Sequence, residues 1–196
     1  MEIIQKVFKQ HSGFAKTKDI RKAGGQTRDI ARLLKSHVIE RIKPGLYRWV
    51  NKPLLKNQEF LEVSKAVPQG VICLISALSY HGLTTAKSSV VQVALPKGLK
   101  GARVLYPPVE RHWFSRKQFD AGIVQVRQKE GTFNIYDAEK TLCDCFRYRN
   151  KIGEDIAKEG ITEYMKRSQK NIDKLFMTAA VCRIRRVMEP YLKALS

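Results

Sequence analysis

The chain has 196 residues, 43% of them hydrophobic, which suits one large or two small globular domains. Lys and Arg number 37 against 18 Asp and Glu, so the formal net charge is +19. This excess favours a nucleic acid partner over an inert basic surface, because a positive field attracts phosphates. The longest apolar run, GVICLI, is too short to cross a bilayer, and nothing resembles a signal peptide. The sequence predicts a soluble, cytoplasmic protein with no membrane partner.

The positive charge is concentrated near the N-terminus. Residues 1–50 hold 12 Lys and Arg against 4 Asp and Glu, a net charge of +8. One quarter of the chain therefore carries two-fifths of the net charge, and this distribution indicates a basic N-terminal module.

Three short helices and a hairpin are predicted within that module. Residues 2–10 place their apolar side chains on one helical face. Thr17 is the predicted N-cap of a second helix, KDIRKA, which a Gly-Gly pair ends. Thr27 is the predicted N-cap of a third helix, TRDIARLLKS, and residues 37–50 then predict a β-hairpin around a Pro-Gly turn.

This order of elements is typical of a winged helix-turn-helix, in which the third helix enters the major groove and the hairpin is the wing. Arg28, Arg32 and Lys35 fall on the face of the third helix opposite its apolar residues. An amphipathic surface helix with solvated charges is the alternative. The glycine turn before the helix and the basic hairpin after it favour the DNA-binding interpretation, and we predict this domain over residues 1–52.

The residues that face outward in such a domain are candidates for contact with double-stranded DNA. They are Thr17, Lys18, Gln26, Thr27, Arg28, Arg32, Lys35, Arg41, Lys43 and Arg48. The three that begin the third helix are expected at base edges, where an arginine could pair bidentately with guanine. The two cations further along that helix, and the two residues that begin the second, are expected near phosphates. The three hairpin residues are expected at the backbone or minor groove, although each of the ten could be a solvated surface residue.

A second domain is predicted over residues 58–196, after a linker at residues 51–58. Its predicted helices are QEFLEVSKAV, VICLISALSYHGL, AEKTLCDCFRYRN with Asp137 as N-cap, and three stretches at roughly 154–167, 171–185 and 187–195. Its strand candidates are VVQVAL, ARVLYPPVERHWF, GIVQVRQ and TFNIY. The predicted fold class is α+β: an N-terminal winged helix-turn-helix, then a mixed α/β domain with a small sheet and a C-terminal helical bundle.

Four stretches in a fixed order resemble a known family over nearly the whole chain. They are RIKPGLYRW, ISALSYHGL, VQVALPKG and IYDAEKTLCDCFRYRNKIG. The chain resembles the AbiEi family, the antitoxins of AbiE abortive-infection (type IV toxin–antitoxin) systems that act in phage defence. The resemblance implies that the winged helix binds inverted repeats in its own promoter and represses the operon. It also implies that the C-terminal domain counters a nucleotidyltransferase-like toxin, for which direct binding is not required.

Other classes of function remain open beside this one. A DNA-targeted, nuclease-like enzyme is the alternative, because Asp137, Glu139 and Lys140 form an acidic–lysine cluster. That cluster lacks the usual one-residue gap, and its aspartate is expected as a helix cap. A non-specific basic nucleic acid binder is a third interpretation. We expect a monomer in solution with two copies on the operator.

Cysteine and histidine spacing argues against a metal site. The four cysteines, expected to be buried and reduced, are Cys73, Cys143, Cys145 and Cys182. They contain no CxxC pair, and the four histidines are isolated from one another. We predict no catalytic residue, no metal and no cofactor.

Overall fold

The computed structural model describes residues 2–50, 57–101 and 103–195. These residues belong to two compact units. The N-terminal unit comprises Met1–Pro68, Ala102–Pro108 and Arg127–Thr132, and the C-terminal unit comprises Gln69–Gly101, Val109–Val126 and Phe133–Ser196. The mixed α+β fold class is confirmed. None of the helices in the described ranges is long and apolar enough to cross a membrane.

The N-terminal unit contains the predicted three helices and hairpin, with an additional strand. In chain order its elements are α1 (Glu2–Gln10), β1 (Phe14–Lys16), α2 (Thr17–Lys22), α3 (Thr27–Lys35), β2 (Ile39–Lys43), β3 (Leu46–Trp49) and α4 (Gln58–Ala66). The strands form an antiparallel sheet in the order β1-β3-β2. Ile4, Phe8, Ile20, Ile30 and Tyr47 are buried in one core beneath these elements, which fixes α3 against the sheet.

The observed N-caps of α2 and α3 differ from the predicted ones. The predictions that Thr17 and Thr27 are N-caps are wrong, because each is the first residue of its helix. The residue that precedes α3 is Gln26, and its backbone N–H donates to the Asp29 carboxylate at 2.9 Å. A carboxylate is a stronger acceptor than a hydroxyl. The Thr27 hydroxyl instead accepts a hydrogen bond from Arg21.

The turn between α2 and α3 depends on glycine at one position. A Cβ on Gly25 would lie 2.6 Å from Cγ2 of the buried Ile20. The neighbouring Gly24 has a φ of +92°, a conformation that other residues rarely adopt. The Gly-Gly pair therefore lets α3 begin close to the core.

Within its described residues the C-terminal unit contains seven helices and a five-stranded sheet, except that residues 127–132, in two of the strands, group with the N-terminal unit. These strands and helices are β4 (Val71–Ile72), α5 (Leu74–Tyr80), β5 (Val91–Pro96), β6 (Val109–Phe114), α6 (Arg116–Asp120), β7 (Ile123–Gln128), β8 (Gly131–Tyr136), α7 (Ala138–Arg147), α8 (Arg149–Ile152), α9 (Glu154–Met165), α10 (Ile172–Val181) and α11 (Arg185–Leu195). The strand order is β6-β5-β4-β8-β7. Strand β5 runs parallel to β6 and antiparallel to β4, and β4 runs parallel to β8. Buried residues of α5, α7, α9, α10 and α11 share one core.

One stretch that we predicted as a single helix is divided between a strand and a helix. Val71 and Ile72 form β4 at the centre of the sheet, and α5 begins only at Leu74. Leu74 has a φ of +49°, which breaks the helix there. A short apolar run suits a buried strand and a buried helix equally, so its pattern could not decide between them.

The predicted domain boundary falls where the structure describes little. Of the predicted linker at residues 51–58, residues 51–56 lie outside the described ranges, Asn57 precedes α4, and Gln58 begins it. Helix α4 groups with the N-terminal unit rather than with the second domain in which the sequence placed it. The three predicted C-terminal helices are present as α9, α10 and α11, and all four cysteines are buried free thiols.

Candidate nucleic-acid interface

The outer face of α3 is basic and exposed. Ile30 and Leu33 are buried on its inner face, whereas Arg28, Arg32 and Lys35 are exposed. This is the face on which the helical period placed these three cations. Arg28 and Lys35 form no side-chain hydrogen bond or ion pair with any residue that the structure describes. Their charges are therefore available to a ligand.

Asp29 organises the beginning of α3. Its carboxylate accepts from the Gln26 backbone N–H at 2.9 Å and from Nη2 of Arg32 at 3.1 Å. The Arg32 side chain is still 63% exposed, so its pairing with Asp29 is a weak, solvated one. The carboxylate thus fixes the backbone at the helix N-terminus and orients one cation, while both Gln26 and Arg28 remain exposed.

A shallow concavity opens at the turn between α2 and α3, and it brings in a cation that the sequence did not identify. Its walls include Arg21, Gln26, Thr27 and Arg28. Nη2 of Arg21 donates to Oγ1 of Thr27 at 3.0 Å. The signal available in the sequence was the position of Arg21 in the last turn of α2, one Gly-Gly turn before α3. Arg21 therefore lies beside the three predicted base-reading residues.

The beginning of α2 lies beside the hairpin turn. The backbone N–H of Thr17 donates to the carbonyl oxygen of Gly45 at 3.0 Å. Gly45 follows Pro44 in the turn and has a φ of +76°, the pattern of a type II turn. Lys18 is exposed at the start of α2, and so is Lys16, a cation that the sequence prediction omitted. The structure thereby joins the predicted helix and hairpin contacts into one neighbourhood.

The hairpin cations occupy different environments. Arg41 is exposed, and its guanidinium lies 5.7 Å from the ring centroid of Tyr47, its partner across the strands. Lys43 is half-buried, and its Nζ donates to the carbonyl oxygen of Ala66 at 2.6 Å. Burial, and then the charge of Lys16, lower the pKa of Lys43. Arg41 is therefore the cation of this pair that is free to contact a phosphate.

Arg48 is held by two carboxylates. Its Nη2 lies 2.7 Å from Oε2 of Glu40, and its Nη1 donates to Oε1 of Glu62 on α4. The Arg48 side chain is 16% exposed and that of Glu62 is fully buried. Burial acts to lower the pKa of Arg48, but the two glutamates raise it above its ordinary value. We had predicted that Arg48 contacts DNA. The structure instead places its side chain in ion pairs inside the N-terminal unit.

The aromatic residues of the hairpin pack inward. Tyr47 is buried in the core of the N-terminal unit, and the ring of Trp49 packs edge-on against Phe8 with 5.3 Å between centroids. Both residues therefore close the hairpin onto the helices of the N-terminal unit.

The acidic–lysine cluster of the C-terminal unit is engaged in internal pairs. Asp137 caps α7, as predicted, by accepting from the Lys140 backbone N–H at 2.8 Å. The ammonium of Lys174 lies 2.9 Å from a carboxylate oxygen of Asp137 and 2.9 Å from one of Glu139. Lys140 is fully buried and pairs with Asp144. Each member of the cluster therefore has a structural partner.

Comparison with known protein families identifies the N-terminal segment. The family model described as transcriptional regulator, AbiEi antitoxin, matches residues 2–50. Over this segment the chain is similar to the AbiEi antitoxin regulators. The resemblance inferred from the sequence is confirmed here, and the AbiEi-like segment holds all ten predicted contact residues. It spans a quarter of the chain. A search of curated proteins gave no match.

Proposed function

We propose that the protein is a DNA-binding repressor of its own operon and the antitoxin of an AbiE-type pair. In this proposal β2 and β3 are the wing and α3 is the recognition helix of a winged helix-turn-helix. Two monomers bind the inverted repeats of the promoter. The C-terminal unit, with its sheet and its bundle of α9, α10 and α11, counters the toxin.

The observation that carries the proposal is the exposed basic face of α3 within the AbiEi-like segment. Arg28 and Lys35 are exposed and unpaired among the described residues. Exposed cations release counterions when they meet phosphates, which drives association. Gln26, Thr27 and Arg28 stand at the N-terminal end of α3, the part of a recognition helix that meets base edges. Arg21 adds a further cation beside them.

A substitution of Arg28 tests base recognition. We expect Arg28→Ala to weaken binding to a labelled promoter duplex by about 5- to 150-fold, as loss of one bidentate base contact should. Binding to a scrambled duplex of equal length should fall much less. The measurement is fluorescence anisotropy at fixed salt. Lys6→Ala is the matched control, because Lys6 is an exposed cation on α1 that is not among the predicted contact residues.

Two outcomes would contradict this part of the proposal. Equal losses on promoter and scrambled duplexes would mean that Arg28 contacts phosphate alone. Equal affinity of the unsubstituted protein for both duplexes would mean a non-specific basic binder.

Repression and antitoxicity are separable in the full-length chain. With the neighbouring toxin gene co-expressed from an independent promoter, we expect Arg28→Ala to restore growth as well as the unsubstituted protein does. The same variant should fail to repress a reporter driven by the operon promoter. Loss of growth rescue, at unchanged protein level, would contradict the assignment of antitoxicity to the C-terminal unit.

A further inference from the structure

The C-terminal unit contains a basic pocket that the proposed DNA contacts do not use. It has a volume of about 340 Å³ and lies among β6, α6, the end of α7 and the turn after α10. Four cations contribute to its lining: Lys97, Lys117, Arg147 and Arg183. No carboxylate lines it. The pocket therefore concentrates like charges without an internal counter-charge, and such a site attracts an anion.

Three of these cations are uncompensated. Lys97, Lys117 and Arg183 form no side-chain hydrogen bond or ion pair within the described ranges. Arg147 is fixed in place, because its Nη1 donates to the carbonyl oxygen of Cys182 at 2.8 Å. One guanidinium is thus pre-positioned, while the other three charges are free to meet a ligand.

The backbone at Arg183 is unusual for its residue type. Arg183 follows the end of α10 with a φ of +56°, and Ile184 closes the turn by donating to Ala179 at 2.9 Å. Glycine or asparagine normally occupies this left-handed position, because a Cβ is disfavoured there. Because arginine occupies this position instead, the turn contributes a positive charge to the pocket. The turn therefore fixes the backbone from which the Arg183 side chain reaches the pocket lining.

An aromatic side chain forms one wall. Trp113 lines the pocket and is 46% exposed, although its neighbours in β6, His112 and Phe114, are buried. Its indole N–H donates to the carbonyl oxygen of Leu99 at 3.1 Å, which limits rotation of the ring. A fixed, accessible indole is a suitable surface for stacking a nucleobase.

We propose that the basic pocket binds a nucleoside triphosphate, with the phosphates at the four cations and the base against Trp113. The volume falls within the range of small-molecule sites and is too small to admit a duplex. An inorganic anion alone would leave the indole unused, whereas a nucleotide uses both the charge and the aromatic wall. This site is independent of the proposed operator binding, so either can fail without the other.

The test uses tryptophan fluorescence of the full-length protein. The chain has two tryptophans, so Trp49→Phe leaves Trp113 as the single reporter. We expect ATP or GTP to quench this fluorescence saturably below millimolar concentration, and pyrophosphate to bind at least tenfold more weakly. The variant Lys117→Gln/Arg183→Asn should weaken nucleotide binding at least tenfold. Asparagine suits the left-handed backbone at Arg183, so the variant should fold, which circular dichroism checks.

Arg116→Gln is the matched control. Arg116 precedes Lys117 in α6, but it is exposed, pairs with Asp120 and does not line the pocket. Its substitution should leave nucleotide binding unchanged. The proposal is overturned by any of three results: no saturable quenching up to millimolar nucleotide, equal weakening by the control, or pyrophosphate binding as tightly as ATP.

Discussion

Arg48 offers the sharpest test of what the hairpin cations do. If Arg48 contacts phosphate, its loss should weaken DNA binding and leave stability unchanged. The structure instead pairs Arg48 with Glu40 and with the fully buried Glu62. Removal of the guanidinium leaves the Glu62 carboxylate buried with, among the described residues, one remaining hydrogen bond, from Gln58 at 2.7 Å. We therefore predict that Arg48→Met destabilises the N-terminal unit.

The magnitude follows from burial. Loss of one partner of a buried ion pair costs about 3–5 kcal/mol, because the remaining charge is uncompensated. Glu40 is 44% exposed and can regain water, which places the expected loss for Arg48→Met near the lower end, about 3 kcal/mol. In urea this corresponds to a midpoint shift of roughly 1–3 M. The double variant Arg48→Met/Glu62→Met should recover most of the loss, since replacing both charges with apolar groups is often neutral.

The assay is urea unfolding followed by Trp49 fluorescence in a Trp113→Phe background, because Trp49 packs in the N-terminal unit. Arg41→Met is the matched control on the same hairpin, and its exposed position predicts a change within about 0.5 kcal/mol. The reasoning is refuted if Arg48→Met unfolds like the control. It is also refuted if the double variant is as unstable as the single one.

Three further predictions concern phosphate contact, pH and the interhelical turn. Lys35→Ala should lower the salt slope of promoter binding by roughly one, as loss of one phosphate contact should, whereas Lys6→Ala should not. Burial acts to raise the pKa of Glu139, but hydrogen bonds from Tyr164 and Lys174 lower it below 4.5. Its stabilisation is therefore present above pH 4.5 and lost as pH falls through the folded-state pKa, so Glu139→Gln should flatten the acid limb of a thermal-melting profile. Gly25→Ala should destabilise the N-terminal unit by about 1–3 kcal/mol in urea unfolding, because its Cβ would overlap Ile20; an unchanged midpoint would contradict that packing.

The N-terminal helices could be predicted because their signals are local. The apolar period places Ile30 and Leu33 inward, and the same period places Arg28 and Lys35 outward. Strand β1 could not be predicted, since three residues provide no alternation to detect and its pairing depends on β3, more than thirty residues further along the chain. The caps of α2 and α3 were also missed, because threonine is a common cap and only the fold shows that Asp29 is the side chain that accepts from Gln26.

The basic pocket illustrates a different limit of sequence reasoning. Its four cations come from positions 97, 117, 147 and 183, each on or beside a different element. These positions have no regular spacing, so no sequence motif could predict that the four cations line one pocket. Charge counting even obscured them, because residues 51–196 carry a net charge of +11 over nearly three times the length of the first fifty residues, which carry +8. Only the packing of the C-terminal unit brings the four together and leaves carboxylates out.

The carboxylates, more than the cations, decide which part of the N-terminal charge is available to DNA. Glu62 lies fourteen residues beyond Arg48 and withdraws it from the surface, while Arg41, on the same hairpin, keeps an exposed guanidinium. A net charge counts both arginines equally, yet only an exposed, unpaired cation displaces counterions from a phosphate. The salt slope of promoter binding is measured without urea, at a temperature at which both variants are folded. Arg41→Met should then lower this slope by roughly one, and Arg48→Met should leave it unchanged. If Arg48→Met lowers the slope and Arg41→Met does not, Arg48 contacts a phosphate and this reasoning is wrong.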